Sequence, residues 1–276
     1  MSIFSRFVVT ENMLLGRLEK YISKGIIPII DYAIENTTDK VHVMDIKKQI
    51  LKKYPKHFHS IKLSSIALCN SSFLSIAETA KYNNCKLLVD AEDYKIQDTI
   101  DSIYNDGCIV NKFDHQLFKT YQMYRKDMME NLLNDCQTYK ECGLIHNIKL
   151  VRGAYIQKDS NYGIIHNSKS ETDRHYDEAV KILLHLSKSN SKMNVIFATH
   201  NKNSFDIIKN ISRDNVFHAS LMGFDENFGG SIQKMVHLPF GPFYYTYPYL
   251  MRRLYENNKY FNSIVDSRKF RTCIFN

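Results

Sequence analysis

Residues 26–54 read IIPIIDYAIENTTDKVHVMDIKKQILKKY: a dense apolar run over 26–33, a polar break, then a segment of helical period over 43–54. The run is apolar throughout rather than alternating, as in a strand covered on both faces. The same unit repeats in both directions along the chain. Towards the N-terminus, 6–9 predicts a strand and 14–24 a helix. Towards the C-terminus, strands are predicted at 59–68, 86–90, 120–123, 148–154, 194–198 and 216–222. The intervening helices are 73–82, 96–105, 126–139, 173–187 and 204–211. Residues 232–236 read as a short helical turn and 245–257 as a last helix.

Eight strands, each followed by a helix, predict an α/β fold, a (β/α)8 TIM-type barrel forming a single domain over 1–276. No Gly-x-Gly-x-x-Gly turn follows any strand, which disfavours an open dinucleotide-binding sheet. Nothing rich in Ser, Gly or Pro divides the chain.

Apolar residues make up 44% of the 276 and charged residues 24%, which places the chain among globular proteins and excludes disordered and fibrous classes. The excess of 37 Lys+Arg over 29 Asp+Glu gives a net charge of +8. Those lysines are spread as on solvated helix faces, with no recognition motif beside them, so no nucleic-acid partner is expected. Six cysteines without a Cys-x-x-Cys pair argue against a zinc ribbon or disulfide framework; no metal is expected, and the compartment reads as reducing. No apolar run approaches the ~20 residues of a membrane span. The opening MSIFSRF carries neither a secretory nor a presequence pattern.

Barrel chemistry collects at the C-terminal ends of strands, so polar residues closing apolar runs are the candidates. Asp31 ends the run IID; buried, it needs a cationic or hydrogen-bonding partner, and a helix N-cap is the alternative. Lys149 and Arg152 stand three apart before Gly153 and Ala154, a pattern for an anionic ligand at close backbone approach. Thr199, His200 and Asn201 close the next strand, where a structural histidine is the simpler reading of His200 taken alone. In the last helix Arg252 and Arg253 point about 100° apart and can flank one concavity. Their planar forks suit a carboxylate, while Glu256 four residues after Arg252 also makes a helix ion pair.

At these residues the chain resembles the proline dehydrogenase family, FAD-dependent barrels that oxidise proline to pyrroline-5-carboxylate. The carrying segments are KLVRGAY (149–155), FATHN (197–201) and PYLMRRLYEN (248–257), supported by LVDAE (88–92), TYQ (120–122), KSET (169–172) and LPFGP (238–242). They stand in family order across nearly the whole chain. KLVRGAY and LVDAE are nearer to eukaryotic, mitochondrial members than to the bifunctional bacterial ones.

The resemblance implies oxidation of L-proline, with hydride passing from substrate C5 to flavin N5 and electrons going on to a quinone-type acceptor at a membrane surface. It also implies a mitochondrial location, or a cytoplasmic one for a chain without a presequence. By the same carry-over Asp31 and Lys149 are catalytic, Lys149 stabilising charge that arrives on the flavin. Arg252 and Arg253 grip the substrate carboxylate; Tyr249, Tyr155, Leu221 and His237 line the substrate site. Cofactor contacts are Lys119, Lys149, Arg152, Gly153, Ala154, Lys169, Thr172, Thr199, His200 and Glu256. A substrate amine must be neutral to release hydride, so activity is expected to rise with pH.

The chain departs from the family pattern at several points. His237 replaces the Tyr of Tyr-x-Pro-x-Gly, and Lys119 stands where Gln or Asn is usual. Ala219 and Ser220 replace the glutamine of the eighth predicted strand, and FVVTE (7–11) lacks a usual Gly. Most of the helical segment that normally precedes the first strand is expected to be missing. These departures keep open a barrel with lost or reduced turnover, and hydroxyproline as the substrate.

Overall fold

The computed structural model describes residues 3–34, 38–108, 116–190, 192–224 and 229–256; the side chains of 3–4 and 252–256 fall outside that description. Eight strands close into a barrel in sequence order, every neighbouring pair parallel. They are β1 (Ile27–Tyr32), β2 (Phe58–Ile61), β3 (Lys86–Val89), β4 (Leu117–Gln122), β5 (Asn147–Val151), β6 (Val195–Ala198), β7 (Val216–Leu221) and β8 (Gln233–Phe240). Before β1 lies α1 (Glu11–Ile22), and the next three connections carry α2 (Lys40–Lys53), α3 (Asn70–Tyr82) and α4 (Tyr94–Gly107). After β4 come α5 (Met128–Glu141), a single turn α6 (Ile156–Asp159), α7 (Lys169–Ser189) and α8 (Lys202–Ile208). The chain ends in α9 (Phe243–Glu256), and no helix stands between β7 and β8 among the described residues.

The predicted number of strands is right, but the set is shifted by one. The expected strand at 6–9 is a 3-10 turn, Ile3–Arg6, followed by a single parallel bridge from Val9 to Phe240. Its apolar residues are buried without pairing: Phe7 and Val8 pack against Phe224, Tyr249 and Leu250. The eighth strand is instead β8, which takes in 233–236 of the stretch read as a helical turn. Its eight residues pair with both β7 and β1 and thereby close the barrel, a long-range demand that local periodicity does not report. The predicted strand 59–68 shortens to β2 and breaks into a 3-10 turn, Leu63–Ser65.

Side-chain parity is set by register. Ile29, Leu88, Phe118, Ile196, Phe217, Ala219 and Met235 fill the barrel interior. Residues of opposite parity pack outward: Ile30, Ile61, Leu87 and Leu117 against α2–α4, and Tyr121, Ile148, Leu150, Phe197 and Val216 against α5, α7 and α8. Burying one such apolar side chain contributes about 1.5–3 kcal/mol. Helix starts are fixed locally. Asp39 accepts from the His42 N–H at 3.0 Å, and Ser168 from the Glu171 N–H at 3.1 Å.

Candidate active site

Counting two residues along each strand from the interior layer brings a set of polar side chains to the C-terminal mouth. Asp31 follows Ile29, Ser60 follows Phe58, Thr120 follows Phe118, and His237 follows Met235. Lys149 lies opposite Thr120 and Ile196 in register, so it faces inward as well. Just beyond the strand ends, Lys62 and Asp90 continue the inward parity of β2 and β3.

Lys149, Asp90 and Lys62 form a largely sheltered ionic chain. The Lys149 Nζ lies 2.7 Å from Asp90 Oδ1, and the Lys62 Nζ 3.4 Å from the other oxygen of the same carboxylate. Burial alone would raise the Asp90 carboxyl; Lys149 and Lys62 hold it well below the usual carboxylate range. Asp31 accepts a hydrogen bond from His237 Nε2 at 2.9 Å. Burial pushes Asp31 up too, but Lys62 and then His237 hold it down at about 2. Both aspartates are therefore anionic at neutral pH, and Asp31 is no helix cap.

A second layer braces this chain. Glu92 accepts from the Ser64 N–H at 2.9 Å and from the Ser64 hydroxyl. Burial raises its pKa, against those hydrogen bonds. Gln122 donates to the Glu92 carbonyl at 2.8 Å and accepts from the Ala154 N–H at 3.1 Å, tying the ends of β3, β4 and β5 together. Gly153 sits at φ +126°, where a Cβ would lie 1.8 Å from the Tyr124 ring. Only glycine allows this close turn after β5.

Other predicted residues divide into those at the mouth and those elsewhere. His200 accepts from the Leu221 N–H at 3.0 Å, and Leu221 packs with the cluster that holds buried Tyr249. Tyr155 begins α6 and lies under the Lys158 ammonium, 5.6 Å from its ring centre. Lys169 is exposed at the N-terminus of α7 and pairs with Asp173. Thr172 is buried on the first turn of that helix, its hydroxyl 3.4 Å from the Ser168 carbonyl. The side chains of Arg252, Arg253 and Glu256 lie outside the described residues; the backbone carries them on α9.

Three expectations need correction. Lys119 has the outward parity of β4, and its ammonium pairs with Asp135 at 2.7 Å and Asp101 at 3.3 Å on the flanking helices, away from the mouth. Tyr121 joins the same outer cluster, donating to Asp135 and lying 2.8 Å from His146 Nε2. Arg152 does not face a ligand together with Lys149, because residues three apart in extended chain fall on opposite faces. Its guanidinium instead stacks 4.3 Å from the Tyr176 ring and donates to Asp173, Thr199 and Ser204 at 2.6–2.8 Å. The Thr199 hydroxyl is consequently occupied by Arg152 and by the Asn201 N–H.

Sequence reasoning missed Lys62 as a site residue and did not assign Asp90 or Gln122, although LVDAE and TYQ contain the latter two. The available signal for Lys62 was a lysine directly after an apolar strand, the pattern already noted at Asp31.

A closed parallel barrel with an ionic network at its C-terminal mouth defines the class as TIM-barrel proteins with a polar C-terminal rim. A profile of the family described as Proline dehydrogenase matches residues 18–264. The chain belongs to the proline dehydrogenase family. It is 26% identical over 205 residues to the mitochondrial proline dehydrogenase 1 of Arabidopsis thaliana, covering 66% of this chain and 41% of the plant protein. A Rattus norvegicus hydroxyproline dehydrogenase is 27% identical over 211 residues, covering 66% of this chain and 45% of the rat protein. The chain thus spans under half the length of either relative. Among solved structures, proline utilization A from Bdellovibrio bacteriovorus, inactivated by N-propargylglycine, aligns with TM-score 0.79 and 17% identity over 92% of this chain and 32% of that one. That likeness establishes the fold. No described helix is long and apolar enough to cross a membrane.

Proposed function

We propose that the chain oxidises L-proline to 1-pyrroline-5-carboxylate at the C-terminal mouth of the barrel, using FAD. The observation that carries this reading is the chain Lys149–Asp90–Lys62, which holds two ammonium groups around one half-buried carboxylate at the rim.

The residues fit such a cofactor. The Thr120 hydroxyl is buried and has no partner among the described residues, on the interior face beside Lys149, a site for a polar ring edge. Lys169, 77% exposed at the start of a 21-residue helix, offers a solvent-facing cation at a positive helix end, which suits a diphosphate. Lys149, Thr120, Gly153, Ala154, Lys169 and His200 would hold the group, with Arg152, Thr172 and Thr199 bracing the wall behind them. FAD, when bound, supplies the hydride acceptor.

The protein's own residues do the rest. Asp90 holds the Lys149 ammonium in place at 2.7 Å, so its positive field is preorganised towards the mouth. Arg252 and Arg253 are assigned to the substrate carboxylate, and Tyr249, Leu221, Tyr155 and His237 to the walls around the ring. Holding the reacting atoms about 3–3.5 Å apart is what such a clamp accomplishes. A mitochondrial location, supported by the mitochondrial relatives, and a quinone-type electron acceptor complete the reading.

Anaerobic titration of FAD-reconstituted protein with proline tests it: bleaching of the flavin band is the expected result. Colourless protein that neither binds FAD nor reduces a dye would refute it and indicate a barrel without turnover. Hydroxyproline, run in parallel, separates the two substrates. Arg252→Ala and Arg253→Ala should each weaken proline binding by tenfold or more while FAD stays bound; loss of flavin with substrate affinity intact would contradict the clamp.

A further inference from the structure

Among the described residues a buried histidine and a buried carboxylate meet at the barrel mouth. His237 on β8 is 11% exposed at its side chain and Asp31 on β1 5%. The two side chains converge across the β8–β1 seam that closes the barrel. Because Asp31 is an anion without a proton to give, the hydrogen bond between them has a single polarity: His237 Nε2–H donates and Asp31 Oδ2 accepts. That fixes the neutral imidazole as the tautomer with a bare lone pair on Nδ1. Among the described residues nothing else hydrogen-bonds this ring.

Among the described residues the groups facing the ring are few. From β1 comes Asp31; Asp90 after β3 reaches the ring electrostatically, while Lys62 after β2 acts on Asp31 and Asp90. Lys47 on α2 acts on Asp31 from outside the barrel wall. The β7 residue in register with His237 is Leu221, which carries no charge, and His200 lies beyond the end of β6 with its Nε2 held by the Leu221 N–H. A carboxylate behind an imidazole whose far nitrogen is bare is the arrangement of an oriented base.

Resting on the reading of this mouth as a secondary-amine oxidation site, we propose that His237 Nδ1 is the base that takes the ammonium proton of the bound cyclic amino acid. A proline-type substrate arrives with a protonated ring nitrogen. One N–H bond breaks, its electron pair stays on nitrogen, and the proton forms an N–H bond at Nδ1. The products are a neutral amine, ready to release hydride from the adjacent carbon, and an imidazolium paired with Asp31. The 11% of the ring side chain that reaches solvent is the way the proton leaves. The tyrosine usual in the family at this position has no such basic nitrogen.

His237→Gln tests the idea in the FAD-reconstituted full chain, since a glutamine amide can still donate to Asp31 but has no basic nitrogen. Its flavin bleaching rate with proline should fall 10²–10⁴-fold at pH 7. The loss should shrink about tenfold per pH unit towards pH ~10, where an alkyl ammonium loses its own proton. Nitrogen-15 NMR of histidine-labelled wild type supplies a readout independent of turnover. Nε2 should be protonated and Nδ1 bare in the free protein, Nδ1 should become protonated when proline is added, and Asp31→Asn should blur the tautomer preference. A glutamine variant within threefold of wild type at pH 7 with the same pH profile overturns the proposal, as does an Nδ1 that stays bare with proline bound. If wild type is not bleached by proline at all, the oxidation reading fails and takes this step with it; bleaching with an unchanged variant sinks this step alone.

Discussion

Replacing Lys47 by methionine should stabilise the protein at neutral pH and remove part of its alkaline stability gain. Lys47 lies on the buried face of α2 with Val43 and Leu51 and is 7% exposed. It borders a cavity of about 20 Å³ shared with Tyr32, His59, Ile76 and Leu87, room for about one water. No described residue accepts a hydrogen bond from its Nζ, which lies 6.0 Å from the Tyr32 ring centre. Burial drives its pKa down from 10.5 to about 8, against attraction from Asp31, Asp90 and Glu92. The unfolded chain keeps the ordinary value. Below pH 8 both states carry the proton and the folded state bears the whole desolvation cost. The difference, 10.5 − 8 or about 2.5 pH units, is worth roughly 3 kcal/mol at ~1.36 kcal/mol per unit. Between pH 8 and 10.5 the unfolded state binds more protons, so the Lys47 contribution to stability rises with pH. Methionine, unbranched and nearly as long, avoids the charge without overpacking. Urea unfolding of Lys47→Met and wild type at pH 7, 8, 9 and 10.5 reads the effect, and comparing the two cancels the other lysines and tyrosines. The variant should lead by roughly 3 kcal/mol at pH 7, and the lead should close by pH 10.5. A gap that stays flat over that window, or a variant less stable than wild type at pH 7, would refute the reasoning.

Asp31 predicts an acid limb: with its pKa lowered from 3.8 to about 2, it contributes roughly 2 kcal/mol that is present above pH 4 and lost as pH falls to 2. Asp31→Asn should flatten that part of the acid unfolding curve; an unchanged limb would mean the carboxylate is not held by Lys62 and His237. Gly153→Ala should cost more than 2 kcal/mol and displace Tyr124, whose hydroxyl donates to Asp159 at 2.6 Å. A melting temperature within about 1 °C of wild type would show that the turn after β5 tolerates a side chain.

Much of the fold was legible because buried parallel strands and amphipathic helices have distinct local patterns. Residues 26–33 and 86–90 read correctly as strands, since their apolar runs are bounded by turns. The misreadings came where apolar character had another cause. Phe7 and Val8 are buried as a packed cover near the end of β8 rather than as a strand. In β8, Lys234 and His237 interrupt the apolar run, and its strand identity rests on two distant neighbours. At the site, Asp31 and Lys149 were legible as polar residues at apolar strand ends. Lys119 and Arg152 looked equally promising, because residue type alone does not tell which face of a strand a side chain leaves from.

The amino-acid order by itself determined the repeating β–α plan, the absence of a Gly-rich dinucleotide turn, and the family to which the chain belongs. Tertiary structure alone decided which run closes the ring, that Lys62 and Lys149 share the carboxylate of Asp90, and that Asp31 meets His237. Those pairs are separated by 28, 59 and 206 residues. The physical reason is that strand parity is local, with a period of two, whereas the register that converts parity into a common mouth is fixed only when the eighth strand pairs with the first.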